Sequence, residues 1–427
     1  MRHHSFVYFI FLYYKYLLFI FIYMPINNLS ENNKKLCPSH FIQHVRENFE
    51  QFLLKLPFKN VFGWSDEYNR ELCKTIDAGN SEEIYSIIKE AKINSINVTI
   101  GQNIDDGSYA SIFNAKMVLD DKAITIDEKN TQKGLDVIVK AAYAPFCDEN
   151  SPTDMTNFNN HCPKGMEYRD SVFMRSMYET IIGIIMHSIF MNIDGVSTPK
   201  IYKCGYISSD INLDEKDSLF TEEGTTKYPA IVMAPLKKDG KEIKTLETNN
   251  LEKFFLKAAE ILKELQKSYH FSHRDLHAGN IRYTPPKNED DPAHIEIFDF
   301  GESCFKWPNS RYALQLPKSE NYSISDNNVK ECNNPSFDLS MLVLSCYNVR
   351  FREYSSDYIN KIAIEIFNEI KETSKDEING ISWWKLYKRY DLNIESCIPA
   401  NFIENYKKSH NKKSNNEKNT DENALKF

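Results

Sequence analysis

Two short segments constrain this chain more than anything else in its 427 residues. The first is His273-Arg274-Asp275-Leu276-His277-Ala278-Gly279-Asn280, and the second is Asp299-Phe300-Gly301. Between them lies HIEIF, whose alternation of polar and apolar residues predicts a strand. Asp275 and Asn280 fall on the loop before that strand, and Asp299 opens the turn after it. A helix end with polar caps would account for the loop alone, and a simple turn for Asp299 to Gly301. Taken together and in this order, they call for a fold that delivers two carboxylates and one carboxamide around a single strand. The insert TPPKNEDDPA ahead of the strand is rich in Pro and Asp and predicts a lengthened hairpin loop.

Phosphoryl transfer from ATP uses such a set. It needs a carboxylate to take the acceptor hydroxyl proton, a neutral oxygen ligand for Mg2+, and a second carboxylate bridging the metal to the phosphates. Asp275, Asn280 and Asp299 can supply these in that order. On these residues the chain resembles the eukaryotic-type protein kinase superfamily, and HRDLHxGN is similar to the catalytic loop of haspin-type kinases. The resemblance covers about residues 98 to 350. It implies an α+β, bilobal protein kinase-like fold with a small β-rich N-lobe and a larger, mainly helical C-lobe. It also implies ATP and Mg2+ as cofactors, and a serine or threonine hydroxyl of a protein of unknown identity as acceptor. Asp275 would be the base, Arg274 would orient the loop, and Asn280 and Asp299 would hold the metal. His277 reads as structural rather than as a second base.

Kinases also need a strand lysine on the phosphates and a helix glutamate to orient it. Val137-Ile138-Val139-Lys140 matches that strand and ends on Lys140, with Lys116 as the competitor. Helical periodicity runs from 167 to 192. Glu179 sits inside its apolar stretch, where an unpaired carboxylate is costly, so pairing with Lys140 would explain it. Glu167 is the rival, at the helix start, where the helix dipole alone accounts for an acid. Asp105-Asp106-Gly107-Ser108-Tyr109-Ala110-Ser111-Ile112 resembles a glycine-rich phosphate loop, with Gly107 in the second glycine position. Gly107, Ser108, Tyr109, Ala110 and Ile112 are its candidate contacts, while Asp105 and Ala110 replace the outer glycines. In YPAIVMAPL, Met233 would stand beside the adenine, with the Ala234 and Leu236 backbones near the purine edge.

Apolar residues at helical spacing from Leu251 to Leu265 predict a long helix leading to the catalytic loop. By resemblance, Asp338 is a helix-start acid bonded to the backbone of that loop. No Ala-Pro-Glu motif lies between Glu302 and Ser336, a trait shared with haspin-type kinases, although those usually depart from the Asp-Phe-Gly kept here. Few residues separate the Asp338 helix from the tail that begins at Lys407, so the C-lobe is expected to be abbreviated at its C-terminal end. Trp383, Trp384 and Tyr387 share a helical spacing and read as core.

Domain boundaries follow from composition. Residues 237–406 form the expected C-lobe, 98–236 the N-lobe and hinge, 27–97 a helical extension with Ser81 as an N-cap, and 407–427 a disordered tail. Residues 6–26 approach the ~20 apolar positions that span a bilayer. Lys15 near mid-span would cost about 2.5–3.5 kcal/mol, and Met24 opens an ordinary polar start. Both an anchor and a mis-set start stay open. With 41% hydrophobic and 26% charged residues, wholesale disorder and a polytopic membrane protein are disfavoured. A net charge of −8 lacks the footprint of a dedicated nucleic-acid binder. Nine cysteines without a C-x-x-C pair indicate neither a disulfide framework nor a zinc site, and they suit a cytoplasmic enzyme, or a cytosolic domain if 6–26 is an anchor. The alternative functions are a small-molecule phosphotransferase of the aminoglycoside or choline kinase type, and a catalytically weak binding module.

Overall fold

The computed structural model describes residues 38–79, 83–84, 86–87, 95–106, 110–117, 134–142, 168–208, 221–222, 225–286, 288, 293–306, 313–314, 332, 334–348, 357–370 and 393–409. Residues 6–26, Ser81, Glu167, Trp383, Trp384 and Tyr387 lie outside them. The chain divides into two compact units, Met1–Glu47 and Asn48–Phe427. Within the first, α1 (Pro38–Glu47) carries a Gln43 to Glu47 side-chain hydrogen bond of 2.9 Å, one turn apart. Among the described residues, no helix is long and apolar enough to cross a membrane.

The second unit is α+β, a sheet-rich portion followed by a helical one. It opens with α2 (Phe49–Leu53), α3 (Phe58–Phe62) and α4 (Asp66–Ala78). Local chemistry sets the ends of α4. The Ser65 hydroxyl accepts from the Tyr68 N–H, Asp66 and Glu67 occupy the first turn, and Gly79 closes the helix in the left-handed region at φ 69°. Strands β1 (Val98–Asp106), β2 (Ala110–Met117) and β3 (Leu135–Ala142) lead into the long helix α5 (Tyr168–Phe190), followed by β4 (Val196–Ser197) and β5 (Ile201–Ser208). Then come β6 (Thr221–Glu222), β7 (Thr225–Met233) and β8 (Lys241–Glu242). The antiparallel sheet runs β1-β2-β3-β7-β5, with β6 pairing β7. Period-2 alternation turns Val137, Val139 and Ala141 into the core and leaves Lys140 on the other face of β3.

Helix α6 (Thr248–Tyr269) ends just before the loop from His273 to Asn280, and β9 (Ile281–Thr284) pairs antiparallel with β10 (His294–Ile297). The Pro- and Asp-rich insert is thus the connection of a hairpin, and it explains the long gap to Asp299. Strand β10 also pairs parallel with β4, so the hairpin belongs to a second sheet of order β4-β10-β9-β8. Helices α7 (Phe337–Asn348) and α8 (Asp357–Ile370) and a helical stretch 399–409 follow. That stretch extends three residues into the expected disordered tail, with the Tyr406 hydroxyl 3.4 Å from Glu252 as an anchor.

Two features differ from the sequence reading. Cys304 and Cys332 form a disulfide that closes a loop across 28 residues. Spacing could not reveal it, because the pair meets only through tertiary packing, with Ala313 in the same small core. The other described cysteines, Cys73, Cys204, Cys346 and Cys397, are free and buried. Further, residues 48–78 are not merely an appended run of helices. Phe58, Val61 and Phe62 of α3 are buried, Phe62 stacks on Trp64 at 4.7 Å, and Asn60 accepts from Lys203 of β5 at 2.9 Å. Phe49 meets Phe305 edge-on at 6.2 Å.

If this segment is part of the core, Phe58→Ala should destabilise the chain by about 3–5 kcal/mol, as for a fully buried aromatic. Denaturant unfolding of the full chain measures it, and a loss below about 1 kcal/mol would mark the helices as a detachable appendage.

Candidate active site

Three elements converge on one ammonium group. Lys140 Nζ, from β3, donates to both carboxylate oxygens of Glu179 on α5 at 2.9 Å, and to Oδ1 of Asp299 at 2.8 Å. Its own exposure is 15% and that of Glu179 is 8%, so water screens this pair little, while Asp299, at 38%, reaches the solvent. Burial alone would push the Lys140 pKa down, but the Asp299 and Glu179 charges outweigh it and raise it. Burial likewise pushes Asp299 up, and the Lys140 charge and hydrogen bond hold it down at about 2. Glu179 goes the other way, because its burial exceeds what Lys140 returns. Lys116, the competing lysine, forms an exposed surface pair with Asp136 at 3.1 Å.

The loop carrying Asp275 is built around a second buried carboxylate. Asp338, at the first turn of α7, accepts from the backbone N–H groups of His273 and Arg274, both at 2.8 Å, and from the Ser272 hydroxyl at 3.2 Å. Burial pushes its pKa up to about 6 against the pull of these donors. Ser345 of the same helix accepts from the Ala278 N–H at 2.9 Å. Loop and turn are tied to each other as well. Phe298 N–H donates to the Asn280 carbonyl at 3.2 Å, His273 Nε2 to the Phe298 carbonyl at 3.1 Å, and the Ser303 hydroxyl to the His273 carbonyl at 3.2 Å. Burial lowers the His273 pKa to about 4, so its ring is neutral and Nε2 carries the proton. Arg274 and Asp299 both sit in the left-handed backbone region, at φ 62° and 63°, a cost of about 1–3 kcal/mol each that these bonds must hold in place.

Side-chain roles follow from which atoms are committed. Asn280 Nδ2 donates to the Asp275 carbonyl at 2.9 Å, so the amide oxygen is the atom that could ligate a metal. Gly279 N–H donates to His277 Nδ1 at 3.0 Å, directing Nε2 toward Asp275 Oδ1 at 3.6 Å. Among the described residues, no group of three or more His, Cys, Asp and Glu could hold a metal by itself. Mg2+ does not ask for one, since it binds through one or two protein oxygens together with substrate phosphates and water. A carboxylate at Asp299 and an amide oxygen at Asn280 are the donor types that fit.

The remaining expected residues are placed unevenly. Gly107, Ser108 and Tyr109 lie outside the described residues. Ala110 opens β2 and is buried, Ile112 faces Lys140 across the β2–β3 pair, and Asp105 is exposed. Met233 ends β7 beside Ile138. The Ala234 N–H donates to the Lys200 carbonyl at 2.8 Å, so of the Ala234 backbone only the carbonyl is left for a purine, alongside Leu236. One contact was not anticipated. Arg175 Nη2, on α5, donates to Glu302 Oε1 at 2.8 Å. Its only sequence signals were an arginine one turn before Glu179 and an acid directly after Gly301. No protein-family model matches the chain, and no curated protein matches it significantly.

Asp338→Ala should cost about 2–5 kcal/mol, because it strands the His273 and Arg274 N–H groups in the interior. Asp338→Asn keeps one acceptor and should cost less. The sign of its pH dependence is fixed by the raised pKa: from the ordinary value near ~4 up to about 6 the folded chain holds a proton that the unfolded chain has lost. The contribution of this group to stability therefore falls as pH rises through that window, and unfolding curves should show this slope in the wild type and not in Asp338→Asn.

Proposed function

We propose that this chain is an ATP- and Mg2+-dependent protein kinase of bilobal, kinase-like fold that phosphorylates serine or threonine. The observation that carries the reading is the Lys140–Glu179–Asp299 triad, in which a strand lysine, a helix glutamate and the turn aspartate meet within 2.9 Å. Such a lysine, held rigid and charged, is suited to gripping the phosphates of a nucleotide. Lys140 stays protonated across the physiological range, and Glu179 fixes where it points. Mg2+ held by Asp299 and Asn280 would supply charge neutralisation at the phosphate oxygens. Asp275 takes the proton as the acceptor oxygen bonds to the γ-phosphorus, the bond to ADP breaks, and the proton later leaves to solvent. His277, its Nε2 directed at that carboxylate, keeps Asp275 oriented. Arg274 contributes through the loop backbone. The sheet-rich portion would form the N-lobe, with Ala110 and Ile112 beneath the nucleotide and Met233, Ala234 and Leu236 at the hinge. Most of the acceleration would come from positioning and electrostatics.

The test is transfer of label from ATP in the presence of Mg2+ by the purified full chain, offered basic proteins and a panel of small alcohols. Labelled protein is expected, with Asp275→Asn, Lys140→Met and Asp299→Asn each reduced by about 10²–10⁴-fold. Labelling confined to the small alcohols would move the activity to a small-molecule phosphotransferase. A wild type no better than Asp299→Asn would end the enzyme reading, and if ATP with Mg2+ also failed to raise the melting temperature, nucleotide binding would go with it.

A further inference from the structure

The triad contains one cation and two carboxylates, and the turn beyond it adds a third, Glu302. The charge set is completed by Arg175. It lies one helical turn before Glu179 on α5, so the two side chains leave the same face of the helix. Glu302 lies three residues beyond Asp299. A Cβ placed on the intervening Gly301 would come within 3.5 Å of Asp299 Oδ1, 3.6 Å of Glu179 Oε2 and 4.0 Å of Arg175 Nε, so all of these groups crowd around one glycine. Side-chain exposure is 9% for Arg175 and 23% for Glu302. At that depth the pair is only partly screened by water, so the contact is worth more than one between exposed side chains. Arg175 thus lies beside the triad as well as against Glu302.

Resting on the kinase reading, we propose that Arg175 and Glu302 are positioning residues. They latch α5 to the turn after Asp299 and so hold Glu179 and Asp299 at the distances at which both can share Lys140. The neighbouring residues of the turn are anchored elsewhere. The Ser303 hydroxyl donates to the His273 carbonyl, and Cys304 exchanges two backbone hydrogen bonds with Ser272. Both contacts fasten the turn to the loop before Asp275. Glu302 is the residue of this run whose side chain reaches α5 instead. The left-handed backbone at Asp299 must also be over-determined by its surroundings to persist, and the Glu302 contact is one of those constraints. The latch makes the aligned triad a property of the folded chain.

The test is a double-mutant cycle with neutral replacements in the full chain: Arg175→Gln, Glu302→Gln and the two combined. Turnover is measured with labelled ATP and a basic protein. Each single change is expected to lower kcat by about tenfold or more while changing the KM for ATP by less than about threefold, and the combined change to cost little more than the larger single one. In parallel, hydrogen exchange is followed in peptides from 168–190, a readout that does not depend on turnover. The single changes should speed exchange there, and the combined change should speed it little further. Single variants with undiminished kcat, or losses and exchange rates that simply add in the combined variant, overturn the latch. A wild-type chain that transfers no phosphate overturns the kinase reading and with it the catalytic role of the latch, while the exchange data still decide whether the pair holds α5.

Discussion

The ammonium of Lys140 is the point on which the rest of the site depends. It is shared by carboxylates from a helix and from a turn, so one buried cation fixes the mutual positions of β3, α5 and the chain after β10. A buried charge cluster of this kind is costly to assemble and more costly to break, because each partner removed leaves an uncompensated ion. The apolar surroundings sharpen this. Helix α5 is buried almost all round, with Val172, Met174, Tyr178 and Ile181 among its core residues, and Glu179 is carried into that interior by its neighbours. The helix therefore cannot rotate Glu179 into water without exposing an apolar face. Hydrophobic packing and the ion cluster constrain the same rigid body.

A second buried acid does for the backbone what Lys140 does for the side chains. Asp338 gathers three donors from Ser272, His273 and Arg274, and thereby ties α7 to the loop that bears Asp275. The left-handed conformations at Arg274 and Asp299 fall next to these anchors. Strain located there and restrained from both sides is what a preorganised site requires, since the functional groups are held before any ligand arrives. The disulfide between Cys304 and Cys332, and the contact of Phe49 with Phe305, extend the restraint to the chain that follows. These contacts fit the proposed kinase chemistry, in which little covalent work is left to the protein and geometry carries most of the effect.

Much of the site was legible before folding was considered. HRDLHAGN and DFG are local signals, because the chemistry proposed for them rests on residue type and spacing along one strand and its two flanking loops. Lys140 was legible for a related reason, since a lysine directly after the apolar run Val137, Ile138 and Val139 stands out from an exposed charge. Glu179 was legible as an acid out of place in an apolar helix. Arg175 and Glu302 were not, because each is unremarkable among its neighbours and only their meeting across 127 residues gives them meaning. The Cys304–Cys332 pair and the packing of Phe58 and Phe62 escaped notice for the same reason. The Ala234 N–H looked available along the chain, and only the adjacent Lys200 carbonyl takes it.

The sequence by itself determined which elements form and which groups they carry: the alternation of β3 and β10, the helical runs of α5 and α6, and the identities of Lys140, Glu179, Asp275, Asn280 and Asp299. Those are consequences of local periodicity and side-chain chemistry, which act over a few residues. Tertiary structure alone decided which charges share a partner, which backbone donors remain open, and that residues 48–78 belong to the core. Such outcomes depend on burial and on contacts between residues far apart in the chain, where a low dielectric turns an ordinary ion pair into a constraint and no short-range pattern records who the partner will be.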